Sequence, residues 1–150
     1  LWDGADSARR ELDVALDSAT IAVGNRAECE VAVGTSDPHE AVDRLLGRGL
    51  SGVVVKLGAD GALVATGAER RRMPAVPVTV VCGLGAGDAF GGALCHGLLS
   101  GWSLRESARW GNAAGAIVAG RLMCADDMPT ATEIDEVLGR APALDGAPCA

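Results

Sequence analysis

The sequence predicts an α/β fold in which helices flank a layered sheet. Helical patterns alternate along the 150 residues with short apolar runs, the order expected when helices cover a sheet. Ser51–Lys56 is a continuous apolar run of the kind buried on both faces of a parallel sheet. Because ligands in such sheets bind at the carboxyl ends of the strands, we expect the functional residues at that edge.

The elements before residue 85 are predicted from apolar periodicity and from capping residues. Asp37, Pro38 and Glu40 take the N-cap, first and third positions expected at a helix start. Gly24–Asn25 is expected to end the first strand, and Gly67–Ala68 to form a turn between two antiparallel strands. The expected helices are residues 7–17, 26–33 and 37–47, and the expected strands are residues 20–23, 51–56, 61–66 and 70–81.

Three more helices are expected in the second half of the chain. The first begins near Asp88, and the second begins at the capping box Ser103–Glu106 and runs to about Gly120. The third begins at Thr130–Glu133 and continues through residue 138. The segment 141–150 is rich in proline and alanine, and we expect it to be a frayed tail after a domain of residues 1–140.

Composition excludes several classes of partner. The net charge of −7 argues against binding to nucleic acid or to an anionic membrane. The longest uncharged run, Ala89–Leu104, is too short for a membrane span and is interrupted by glycines. Five irregularly spaced cysteines suit free thiols in a reducing cytoplasm better than disulfides or zinc.

A glycine-dense turn after the β-branched run Val78–Val81 is the strongest functional signal. Its glycines allow positive φ angles and a close approach of backbone to a ligand. The first amides of the following helix have no intrahelical partner, and they form an anion site that phosphate commonly occupies. A carboxylate at such a site, Asp88, repels phosphate unless it has a chemical role, such as general base toward an attacking hydroxyl.

Two familiar glycine-rich phosphate-binding motifs do not fit this turn. A Walker A loop needs Gly-Lys-Ser/Thr where Gly87–Ala89 stands, and a dinucleotide fingerprint needs a third glycine near Asp88. The structural alternative is that Asp88 is an ordinary helix N-cap preceded by glycines. Spacing alone leaves the catalytic and capping interpretations open.

The segment Gly85–Phe90 resembles the signature of the ribokinase (PfkB) family of carbohydrate kinases. The resemblance implies a ribokinase-like layered sheet with flanking helices, of which this chain is the carboxyl-terminal, nucleotide-binding half. It also implies that the turn is the anion hole for the transferred phosphate and that the acid is the catalytic base. The implied catalytic residues are Asp88, Gly85, Ala86 and Gly87.

A second motif, Gly24–Glu28, follows a predicted strand. Asn25 and Glu28 fit a helix capping box. They also resemble the family's N-x-x-E motif, which implies that Glu28 organises Mg²⁺ and its water near the phosphates. One carboxylate is chemically sufficient because Mg²⁺ keeps much of its water shell. We favour the metal role, since the Asp88 turn occurs in the same chain.

Two further segments carry the resemblance toward ATP. Val54–Gly61 resembles the strand and turn that border the nucleotide, although an ordinary turn explains the same pattern. Gly111–Ala114 resembles an Asn-Ala-Ala run whose Asn borders adenine, although small neighbours also suit close helix packing. The implied cofactors are ATP and Mg²⁺, and the implied nucleotide-binding residues are Asn25, Lys56, Gly58, Gly61 and Asn112.

Within the family, Val23–Gly34, Val55–Lys56 and above all Cys124–Thr130 resemble the 5-dehydro-2-deoxygluconokinases of myo-inositol catabolism. This implies a keto-deoxy sugar acid as the small-molecule partner, phosphorylated at its terminal hydroxyl. Cys82 stands where many relatives have an acid or Asn associated with a monovalent cation, which weakens the expectation of K⁺ activation.

The resemblance covers nearly all of the chain but only the carboxyl-terminal half of a family member. We therefore expect a fragment that lacks the sugar contacts, whose exposed edges favour association into a homo-oligomer. Two alternatives stay open. One is a non-catalytic nucleotide-binding fragment or pseudokinase, and the other is a structural α/β domain whose helix caps imitate the motifs.

Overall fold

The structure is a computed structural model that describes residues 4–122 and 125–140. Two units divide these residues: residues 4–58 with 62–72, and residues 59–61 with 73–140. The predicted tail and Cys124 of the gluconokinase-like segment lie outside the described residues.

The first unit is built on a mixed sheet of four strands, β1 (Ile21–Asn25), β2 (Gly52–Lys56), β3 (Ala62–Thr66) and β4 (Arg70–Met73), which lie in the order β1-β2-β3-β4. β1 and β2 are parallel, and β2 and β3 are antiparallel. β2 is a member of the parallel pair and is buried from Gly52 to Val55, as its continuous apolar sequence predicts. The α-helices of this unit are α1 (Ala5–Ser18), α2 (Arg26–Val33) and α3 (Pro38–Gly47).

Helix α3 packs on this sheet and begins as the sequence predicts. The Asp37 side chain accepts a hydrogen bond from the Glu40 N–H at 2.8 Å, with Pro38 in the first turn. This hydrogen bond is the main reason that the pKa of Asp37 is lowered. The apolar face of α3 then joins the core of the unit, which consists of Cys29, Ala41, Val42, Leu45, Leu50, Val53, Val55, Leu63 and Ala65.

The second unit contains three helices, α4 (Ala86–Leu99), α5 (Leu104–Ala119) and α6 (Ala131–Arg140). The α4 and α5 backbones approach closely because α5 has glycines where they meet. A Cβ built on Gly111 would lie 2.9 Å from the Phe90 carbonyl oxygen, and one on Gly115 would lie 3.0 Å from that of Ala86. The core of this unit consists of Ala89, Ala93, Ala113, Ala114, Val118, Ile134 and Leu138.

Three predicted boundaries are wrong. The strand predicted to reach Val81 ends at Met73, because Pro74 and Pro77 have no N–H to donate to a neighbouring strand. β1 continues through Gly24 and Asn25 instead of ending before them. α4 begins at residue 86, two residues before the predicted start. Because β4 ends at Met73, the glycine-rich turn follows irregular backbone and not a strand.

None of the helices in the described ranges is long and apolar enough to cross a membrane.

Candidate functional site

Two predicted site residues end neighbouring strands of the first unit. Asn25 is the last residue of β1 and Lys56 the last of β2, and the parallel register places them opposite each other. This is the carboxyl edge at which α/β sheets bind ligands.

Glu28 closes a capping box beside these two residues. The Asn25 Oδ1 accepts from the Glu28 N–H at 2.9 Å, and the Glu28 Oε2 accepts from the Asn25 N–H at 2.6 Å. The Lys56 Nζ lies 3.9 Å from the same carboxylate oxygen. The capping interpretation of this motif is therefore confirmed, and the structure places Asn25, Glu28 and Lys56 together.

The same geometry can be tested for its fit to Mg²⁺. The capping hydrogen bond uses Oε2 of Glu28, which leaves Oε1 available on a side chain that is 56% exposed. No group of three or more His, Cys, Asp and Glu residues in the described ranges could hold a metal. The site thus fits a Mg²⁺ ion that is bound mainly by water and substrate oxygens, with one carboxylate beside it.

The glycine-rich turn lies in the second unit, at the start of α4. Gly85 is the N-cap, with φ 82° and ψ −12°, a left-handed conformation that favours glycine. The Ala89 N–H donates to the Gly85 carbonyl at 2.9 Å, and no side chain caps the helix. The amides of Gly87 and Asp88 therefore point from an uncapped helix start, which is the arrangement that binds anions.

Asp88 is the third residue of α4, not its N-cap, so the interpretation of Asp88 as an ordinary N-cap is wrong. Its side chain is exposed. In the part of the chain that the structure describes, the Asp88 carboxylate has no hydrogen bond or ion pair. A carboxylate that is neither capping nor paired is free to accept a proton from a substrate.

The remaining nucleotide candidates have different surroundings. Gly58 has φ 62° and open space around its Cβ position, which leaves room for a ligand. Gly61 has φ 86°, and a Cβ there would lie 2.0 Å from the Met73 carbonyl oxygen, so the chain's own backbone fills that space. The Asn112 Nδ2 donates to the Pro74 carbonyl oxygen at 2.8 Å. Gly61 and Asn112 thus each have a structural role within the chain, and their contact with nucleotide stays a prediction.

Sequence reasoning missed one group of residues at the site. The carbonyl oxygen of Ala119 at the end of α5 accepts from the N–H of Val81 at 2.8 Å and of Cys82 at 3.1 Å. These contacts anchor the segment that leads into the Gly85 turn. They are made by backbone groups far apart in the chain, and no residue type in the sequence marks them.

Comparison with known proteins matches residues 1–131 to the family described as pfkB family carbohydrate kinase. The ATP-dependent 6-phosphofructokinase isozyme 2 of Mycobacterium tuberculosis is 53% identical over 78 residues, which cover 52% of this chain and 22% of that protein. The 5-dehydro-2-deoxygluconokinase of Clostridium perfringens is 29% identical over 142 residues, which cover 91% of this chain and 42% of that protein.

Among solved structures, an Escherichia coli protein described as a ribokinase II, in complex with ATP and Mg²⁺, is 28% identical with a TM-score of 0.82. That match covers 89% of this chain and 43% of the other. The chain thus spans less than half the length of the curated relatives and of the solved structure that it matches. The predicted ribokinase-like α/β fold is confirmed.

Proposed function

Because this chain belongs to the pfkB family of carbohydrate kinases, we propose that it provides the phosphate site and the catalytic base for ATP-dependent phosphorylation of a sugar hydroxyl. The observation that carries this proposal is the start of α4. There, uncapped amides follow a left-handed Gly85, and the unpaired carboxylate of Asp88 stands in the same helical turn.

In the proposed reaction, Asp88 accepts the proton of the sugar hydroxyl while the hydroxyl oxygen attacks the γ-phosphorus of ATP. The bond from the γ-phosphorus to the β–γ bridging oxygen breaks, which releases ADP and leaves a sugar phosphate. The N–H groups of Gly87 and Asp88, with the turn of Gly85 and Ala86, stabilise the negative charge on the transferred group. Such preorganised donors are commonly a large part of catalysis.

In the first unit, we assign Glu28 to a Mg²⁺ ion that, when bound, neutralises charge on the nucleotide phosphates. Lys56 offsets further phosphate charge from the neighbouring strand end, and Asn25 holds Glu28 through the capping box. Gly58 leaves open space for the nucleotide. ATP and Mg²⁺ in the Escherichia coli relative support this assignment.

For the sugar, we propose 5-dehydro-2-deoxy-D-gluconate in myo-inositol catabolism, in the cytoplasm. The support is similarity to 5-dehydro-2-deoxygluconokinase along 91% of the chain. Fructose 6-phosphate is a second candidate, because the shorter match to a 6-phosphofructokinase has a higher identity. Either sugar would be phosphorylated on a hydroxyl group, so the proposed role of Asp88 is the same for both.

We also propose that the 150-residue chain alone binds nucleotide but transfers no phosphate. Positioning of both substrates provides much of the rate in phosphoryl transfer. The match covers only 42% of the gluconokinase, so residues elsewhere in such enzymes have no counterpart in this match. The alternative is a non-catalytic nucleotide-binding protein. The two proposals differ in what they predict for a longer polypeptide that contains this chain: a kinase phosphorylates a sugar, whereas a non-catalytic protein binds nucleotide without turnover.

The test combines binding and turnover. Calorimetry with the folded chain should detect Mg·ATP binding, and ADP release should not depend on either sugar. Sugar-dependent ADP release by the chain alone would overturn its proposed inactivity. Absence of nucleotide binding would overturn the proposed function. Binding by the chain together with no turnover by the longer polypeptide, with either sugar, would favour the non-catalytic alternative.

A further inference from the structure

The segment between β4 and α4, residues 74–84, is here named the strap. It leads directly into the N-cap Gly85 and has no helix or strand. The large apolar side chains near its end face solvent, with Val80 66% exposed, Val81 57% and Leu84 71%, whereas Val76 near its start packs against the core of this unit. Burial therefore contributes little to the part of the strap that leads into Gly85, where hydrogen bonds to the backbone hold the chain.

Those hydrogen bonds come from α5. At one end of the strap, the Asn112 Nδ2 donates to the Pro74 carbonyl oxygen at 2.8 Å. At the other, the Ala119 carbonyl oxygen accepts from the N–H of Val81 and of Cys82. Of these hydrogen bonds, the one from Asn112 is made by a side chain and can therefore be removed by substitution. It is a tertiary contact, because Asn112 and Pro74 are 38 residues apart in the sequence.

Helix α5 also sets the position of α4. A Cβ on Gly115 would approach the Ala86 carbonyl oxygen to 3.0 Å, so the first turn of α4 lies directly against α5. The strap and the first turn of α4 are thus held by the same helix, on either side of Gly85. A shift of the strap on α5 would change the backbone that enters the Gly85–Asp88 turn.

We propose that Asn112 is a positioning residue, which fixes the strap on α5 so that the Gly85–Asp88 turn keeps its anion-binding geometry. The catalytic meaning of that geometry rests on the proposed function, but the anchoring itself does not. This role differs from direct contact with adenine, because the Asn112 amide already donates to the backbone of its own unit.

The test is amide hydrogen exchange of the 150-residue chain. Asn112→Asp keeps the size of the side chain but removes the donor, and Asn112→Ala is a second variant in case the carboxylate prevents folding. Ala108→Gly is the matched control, since Ala108 is fully buried in the same helix and its methyl side chain has no hydrogen-bond donor. Glycine there weakens α5 without removing the anchor.

In either Asn112 variant, the amides of Val81 and Cys82 should exchange about threefold to tenfold faster relative to the interior amides of α5, the effect of losing one hydrogen bond. In the control that ratio should stay constant. An unchanged ratio in both Asn112 variants, or an equal change in the control, would overturn the proposal. Mg·ATP binding by the unaltered chain is measured separately, so failure of the proposed function and failure of the anchor give different results.

Discussion

Replacement of Glu28 separates its confirmed capping role from its proposed metal role. Glutamine keeps an oxygen that can accept from the Asn25 N–H, so Glu28→Gln retains the capping box. It loses the ion pair with Lys56, which at 3.9 Å and with Glu28 56% exposed is worth about 0–1 kcal/mol. Glu28→Ala removes the box as well, at a further cost of about 1 kcal/mol. We therefore expect Glu28→Gln to lower the Tm by no more than about 4 °C, and Glu28→Ala by more.

A metal role predicts a separate effect on Mg²⁺. A lost outer ligand typically weakens metal affinity about 10-fold to 100-fold, so Glu28→Gln should raise the Mg²⁺ concentration needed for ATP binding by roughly 10-fold. Thermal melts and calorimetric titrations at a series of Mg²⁺ concentrations measure both quantities. Glu30→Gln, an exposed position on the same helix, is the control and should change neither. A large loss of Tm with unchanged Mg²⁺ dependence would refute the metal role and leave the cap alone.

Three other predictions follow from the structure. In an active kinase polypeptide that contains this chain, Asp88→Asn should reduce kcat by about 100-fold or more, while nucleotide affinity and stability change little. Near-normal turnover by this variant would remove Asp88 from the mechanism. Gly61→Ala should lower the free energy of unfolding in urea by about 2–4 kcal/mol, because its Cβ would overlap the Met73 backbone. Gly58→Ala should lower it by only about 1–2 kcal/mol, the strain of a left-handed backbone in open space. Equal losses in the two variants would contradict the packing argument. Hydrogen bonds from Thr130 hold the pKa of Glu133 below its ordinary value, so the carboxylate stabilises the fold at neutral pH and this effect is lost as the pH falls through the lowered pKa. The Tm of Glu133→Gln should therefore decline less steeply with acid than the Tm of the unaltered chain. Parallel curves of Tm against pH would contradict this.

Local capping patterns were predictable because their hydrogen bonds join residues three apart. Asn25 with Glu28 and Asp37 with Glu40 form the predicted bonds. The burial of β2 in a parallel pair was predictable from the continuous apolar run at residues 51–56. In both cases the physical cause lies within a short stretch of sequence or in a strong hydrophobic pattern.

The errors arose where tertiary contacts or prolines outweigh residue preference. The β-branched run Val78–Val81 favours a strand, but two prolines precede it, and the Val81 N–H donates to the Ala119 carbonyl oxygen at the end of α5. Asp88 is a favoured capping residue, yet the N-cap of α4 is Gly85, three residues before it, and the first turn of α4 packs against Gly115. The motif thus predicts the residues that we propose for the site, whereas the contact of Asn112 with the strap joins residues far apart in the chain and is encoded by no local pattern.

The central claim is that the start of α4 is an anion site for the phosphates of ATP. Nuclear magnetic resonance of the ¹⁵N-labelled chain tests it directly, by following the amides of Gly87 and Asp88 during a titration with Mg·ATP and then with inorganic phosphate. We expect saturable shifts of these two amides, while the Glu106 amide, which donates to the Ser103 side chain at the start of α5, stays unchanged. Unchanged Gly87 and Asp88 amides in the folded chain, or equal shifts at Glu106, would contradict it.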